Sequence, residues 1–139
     1  MISDSRAGDA KLVLPQAMQA DEAADYADAF DDIEAYSLMD EKSGDVLAVF
    51  GYQLINEDEA ACFAIVSQHI GMKLREMIVF AQRLIEKKMD ELHLQSVVMT
   101  VRHGFEAGDK LARRLGFRAV AWLPDFYLGY DYQLFERRA

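Results

Sequence analysis

AACFAIVSQHIGMKLREM, residues 60–77, is the stretch on which the fold turns. Residues 60–67 are almost continuously apolar, as expected of a central strand covered on both faces. Over 72–92, Leu74, Met77, Ile78, Ala81, Leu84, Ile85 and Met89 recur at spacings of three and four and line one side of a long helix. The two are joined by Gln68-His69-Ile70-Gly71-Met72-Lys73. A helix start offers unpaired N–H groups and the positive end of its dipole, and glycine lets a phosphate approach the main chain closely. The same glycine would also serve a plain strand-to-helix turn, so its surroundings have to decide between the two.

Outward from this centre, 35–39 and 46–54 flank the polar turn 40–45 and predict a hairpin; the turn 56–59 then leads into the central strand. Downstream, 96–101 predicts a Val-rich strand, 106–115 a short helix stopped by Gly116, and 118–122 and 127–135 two closing strands. Upstream, 15–31 predicts a first helix with Met18, Ala23, Tyr26, Ala27 and Phe30 on one face. Residues 1–11 are expected to be a flexible leader, and 11–14 a short strand stopped by Pro15. The order of elements predicts an α/β (α+β) chain, 1–139, forming a single domain with a mixed, mostly antiparallel central sheet and flanking helices.

The chain has 139 residues, a 52% hydrophobic fraction and a formal charge of −9, enough apolar side chains for one core and a surface that repels nucleic-acid phosphates and anionic lipid. Acidity is uneven: 21–34 holds seven carboxylates and no base, whereas 102–118 holds five Lys or Arg and two carboxylates. Cationic partners suit the first stretch and a phosphorylated ligand the second. Cys62 is the only cysteine, which argues for a reducing compartment and a cytoplasmic location. Neither an export signal nor an apolar run of roughly 18 to 20 residues is present, so a soluble chain without membrane partners is expected.

Gln68-x-x-Gly71-x-Lys73 resembles the pyrophosphate-loop signature Gln/Arg-x-x-Gly-x-Gly/Ala of the GCN5-related N-acetyltransferase (GNAT) superfamily at its first two fixed positions. Residues 108–117, ending in Gly116-Phe117, are similar to the late helix of that superfamily, and the likeness covers about 35–135. The resemblance implies a GNAT-like sheet, acetyl-coenzyme A bound by amides of Gln68, Gly71 and Lys73, and pantetheine beside strand main chain at Ile65 and Val66 where two central strands part. It implies acetyl transfer to a primary amine, with a small amine or a basic peptide as acceptor. Two positions depart from the pattern: Lys73 replaces a small residue, and Ala112 stands where members often carry a thiolate-protonating Tyr. His103 stands where an Asn is common, and Tyr127, Tyr130 and Tyr132 are alternative proton donors. The chain also resembles a divergent GNAT-like branch of tailed-phage and prophage proteins, which implies the alternative of a non-catalytic virion or assembly protein, as a homo-oligomer or with virion partners.

For the proton of the acceptor amine, His69, Glu59 and Glu57 are the candidate bases, although Glu57 and Glu59 equally suit a solvated turn and His69 an ordinary surface loop. Cys62 is expected to pack as a small hydrophobe. The three histidines are scattered and unaccompanied by paired cysteines, so no metal site is expected. Lys110, Arg113 and Arg114 suit either the coenzyme 3′-phosphate or a solvated helix face.

Overall fold

The computed structural model describes residues 2–139. It contains seven strands, β1 (Ile2–Asp4), β2 (Glu34–Met39), β3 (Val46–Leu54), β4 (Glu59–Val66), β5 (Ser96–Arg102), β6 (Arg118–Tyr127) and β7 (Tyr130–Arg138), and four α-helices, α1 (Asp9–Leu12), α2 (Ala20–Tyr26), α3 (Leu74–Glu91) and α4 (Glu106–Arg114). The strands form one sheet in the order β1-β2-β3-β4-β5-β7-β6, in which β4 and β5 pair in parallel. The α+β class and the mixed, mostly antiparallel sheet with flanking helices are as the sequence pattern predicts.

By density of contacts the chain falls into two compact units, residues 1–53 with 63–77, and 54–62 with 78–139. In the first, β2 and β3 form the expected hairpin. Asp40 closes its turn by accepting from the N–H groups of Lys42 and Ser43, and these bonds hold its carboxyl below the usual range. Ala10, Val13, Ala23, Ala27, Phe30, Ala35, Val46, Val49 and Ile65 make the core.

Three features of this unit differ from expectation. The stretch expected as a flexible leader is structured: Ile2–Asp4 pairs antiparallel with β2, and Asp9, 3% exposed, accepts from Ser37 Oγ at 2.9 Å and from the Arg6 N–H at 3.0 Å. Polar residues that read as solvated are therefore long-range ties; Met1 lies outside the described residues. Lys11 and Leu12 belong to α1 rather than to a strand, and Pro15 makes only an isolated bridge with Ser67. The first helix is not continuous, since α2 is flanked by 3₁₀ segments at Ala17–Gln19 and Ala27–Asp32. Asp28, Asp31 and Asp32 put negative charge at the negative end of the helix dipole, which discourages a longer α-helix there.

In the second unit, β7 lies between β5 and β6, pairing antiparallel with both. The stripe expected on α3 is buried at Met77, Ile78, Ala81, Leu84, Ile85 and Met89, and Leu74 is half-buried. Helix α4 ends as expected at Gly116, whose φ of 91° a glycine adopts without strain, while the Phe117 N–H returns to the Ala112 carbonyl at 3.0 Å. Strand β6 runs five residues past its predicted end, through Pro124, because it is an edge strand and a register irregularity between Leu123 and Tyr127 absorbs the missing donor.

Candidate functional site

Strand β4 leaves the sheet core at Val66, and the main chain then turns into α3 through a loop whose hydrogen bonds can be counted. The Ser67 N–H donates to Leu47 O at 2.7 Å, Gln68 N–H to Leu14 O at 2.9 Å, His69 N–H to Ser67 Oγ at 3.0 Å, Ile70 N–H to Ser67 O at 3.2 Å and Lys73 N–H to Ile70 O at 3.0 Å. The N–H groups of Gly71 and Met72 have no acceptor among the described residues. They stand at the 3₁₀ turn Gly71–Lys73 that opens the 18-residue α3, where the dipole adds positive potential.

Gly71 has φ 51°, and nothing lies within 4 Å of where a Cβ would stand. The glycine is therefore demanded by backbone conformation, and the space over it is open. Lys73 does not fill that space: its ammonium pairs with Glu76 at 3.8 Å, both side chains being nearly half exposed, and also acts on Asp40. Gln68, His69 and Met72 are exposed, Met72 at 97%. No metal-binding group of three or more His, Cys, Asp or Glu occurs among the described residues.

Strand geometry decides what β4 can offer. Peptide groups alternate sides along a strand, so if Ser67 donates toward β3, the N–H of Val66 and the carbonyl of Ala64 point to the opposite edge. Paired register with β5 covers only Glu59–Ala61 against Ser96–Val98, short of these groups. They are instead held by Gln19, which sequence periodicity left unremarked: its Nε2 donates to Ala64 O at 2.6 Å and its Oε1 accepts from Val66 N at 3.4 Å. By the same alternation the main chain of Ile65 faces β3, and its fully buried side chain joins the core.

Gln19 also donates to Tyr26 Oη at 3.4 Å. Burial first, then the charge of Glu22, push that phenol above its ordinary range, against the opposing hydrogen bond from Gln19. Gln19 and Glu22 are buried, at 6% and 9% exposure, and no signal in a single sequence marks them beyond their place in an acidic helix.

The remaining candidates sit as follows. Glu59, half-buried, accepts from Ser96 Oγ at 2.8 Å, at the opposite end of β4 from the loop; seven steps of strand make that about 23 Å. Glu57 is exposed in the turn before β4. Ala112 is fully buried in α4 and has no donor to offer. His103 packs edge-on to Trp122 at 4.6 Å, Arg102 lies over the Tyr130 ring at 3.5 Å, and Tyr132 is buried against Phe126 and Tyr127. Arg113 pairs with Asp109 at 2.6 Å, while Lys110 and Arg114 are exposed.

Cys62 is 3% exposed and burial pushes its thiol up to about 12, so it is a core side chain at neutral pH. Native protein at pH 8 is expected to leave Cys62 unlabelled by a thiol reagent over the time in which denaturant-unfolded chain reacts to one equivalent. Rapid labelling of the native chain would contradict this burial.

The seven-stranded sheet with β4 and β5 in parallel, and the helix-opening glycine loop after β4, belong to a fold shared with solved GNAT acetyltransferases. Solved structures of that fold align with nearly the whole chain. An acetyltransferase of the GNAT family from Bacillus anthracis is 8% identical, with 99% of this chain and 93% of that one covered and a TM-score of 0.73. The spermidine/spermine N-acetyltransferase SpeG from Vibrio cholerae is 13% identical, with 99% and 91% covered and a TM-score of 0.67. The ribosomal-protein-S5-alanine acetyltransferase from Vibrio fischeri is 10% identical, with 99% and 91% covered and a TM-score of 0.69. No protein-family model matches the chain, and no curated protein matches it by sequence. No helix among the described residues is long and apolar enough to cross a membrane.

Proposed function

We propose that the chain is an N-acyltransferase that uses acetyl-coenzyme A to acylate a primary amine. The observation that carries this reading is the pair of amides at Gly71 and Met72 without an acceptor among the described residues, with open space over Gly71, at the head of α3. A diphosphate there would receive two N–H donors and the helix dipole, with Gln68 and Lys73 at either end of the loop. The coenzyme would supply a thioester-activated acetyl group. Val66 N–H and Ala64 C=O would pair with an amide of its arm, as an added strand pairs with a sheet edge, while Ile65 anchors β4 from the core.

Of the three candidate bases for the amine proton, His69 is favoured by its place in the loop, since Glu57 lies in the exposed turn before β4 and Glu59 stands at the far end of β4, engaged by Ser96. The acidic stretch 21–34 favours a cationic acceptor, a small polyamine or a basic peptide, in keeping with spermidine as the named acceptor of several proteins of the same fold.

Acetyl-coenzyme A at about 100 times its dissociation constant is expected to stabilise the chain by about 2.7 kcal/mol and to raise its melting temperature by roughly 10 °C. An unchanged melting temperature at millimolar coenzyme would remove the acyltransferase reading and leave a GNAT-shaped body without this cofactor.

A further inference from the structure

We infer that Gln19 is a resident, displaceable occupant of the β4 edge, so that a coenzyme arm enters by exchanging with this side chain. The inference rests on the coenzyme reading above. A glutamine carboxamide presents an acceptor and a donor in one plane as a peptide unit does, with a second N–H beside them. On β4 it meets a carbonyl and an N–H two residues apart, the groups that a neighbouring strand would otherwise take. The arm of coenzyme A carries two secondary amides, so laid along this edge it would compete for the same pair.

Three observations make the occupant releasable. The Oε1 contact to Val66 is long, at 3.4 Å, and Nε2 divides its donors between Ala64 and Tyr26. Gln19 sits where a single 3₁₀ turn meets α2, with no side-chain cap holding the junction. Its neighbours Ala20 and Asp21 are exposed, so the junction that carries Gln19 borders on water. No buried side-chain nitrogen or oxygen among the described residues lacks a partner, which means that exchange has to replace bonds one for one. An amide-bearing ligand satisfies that condition, and an apolar one does not.

The test is titration of coenzyme A into the full chain and into Gln19→Ala, Gln19→Met and Gly71→Glu, followed by calorimetry. Removing the competing hydrogen bonds is expected to tighten binding about tenfold in both Gln19 variants. Gly71→Glu combined with either is expected to abolish it. In the wild-type chain the Gln19 side-chain amide resonances are expected to move on adding coenzyme.

Methionine keeps the length of glutamine, so Gln19→Met answers the question if Gln19→Ala does not fold. Folded Gln19 variants that bind no more tightly than wild type, while Gly71→Glu still abolishes binding, would overturn the exchange and leave the coenzyme reading standing. Resonances of Gln19 that stay unmoved in the saturated wild-type complex would do the same. Binding by neither wild type nor the Gln19 variants would overturn both.

Discussion

Phe135→Ala is expected to cost about 3–5 kcal/mol, which is a large share of the 5–15 kcal/mol typical of a folded domain. Phe135 is fully buried in β7, opposite Met99 of β5 and Ala119 of β6, with the Arg113 guanidinium 5.4 Å over its ring. Truncation leaves a cavity bordered by both neighbouring strands, and strand pairing limits how far they can close on it. A urea midpoint that falls steeply at unchanged slope is the expected measurement. Phe126→Ala, at 53% exposure, is the contrasting change and should shift the midpoint little. Equal small shifts for the two would mean that Phe135 does not occupy the core position assigned to it.

Gly71→Glu is expected to remove coenzyme binding while the chain stays folded. The new side chain would be forced into a φ of 51° at a cost of about 1–2 kcal/mol, and its carboxylate would stand where the diphosphate has to approach. Gly71→Ala separates these effects. It should lose similar stability, because the strain comes from the Cβ, yet retain part of the coenzyme-induced thermal shift, because the space at that Cβ is open. If Gly71→Glu leaves the shift intact, the diphosphate binds elsewhere.

How far the fold is legible in the sequence depends on the range of the interaction involved. Helix α3 and strand β4 are visible because burial imposes a period, and each has a face or a pair of faces that must be apolar along its whole length. The β2–β3 hairpin is visible because Asp40 and Gly44 are turn residues acting within six positions. The ordered start of the chain is not, because its anchor is Asp9 on Ser37, a pair separated by 28 residues and polar at both ends. The break-up of the helix over 15–31 follows from charge placed against a dipole, which an apolar period does not register. Strand order is equally silent, since nothing in the pattern of β7 says that it inserts between β5 and β6.

At the candidate site the same division holds. Gln68 and Gly71 stand out as a spaced pair, and the structure adds what spacing cannot convey, that the amides of Gly71 and Met72 have no acceptor among the described residues. Gln19 is polar in a stretch where only apolar residues mark burial; half-buried Met18, expected on the buried face, is its neighbour. What buries Gln19 is a main-chain edge 45 residues further on.

The position of β7 also bears on how the protein is made. This strand follows β5 and β6 in the chain and supplies the partner that both need. Until residue 138 has emerged those two strands have open edges, β6 carrying the exposed Val120, Trp122 and Phe126. A nascent chain halted inside the β6–β7 hairpin thus presents an unpaired, partly apolar template to other chains, and emergence of β7 is the event that pairs it.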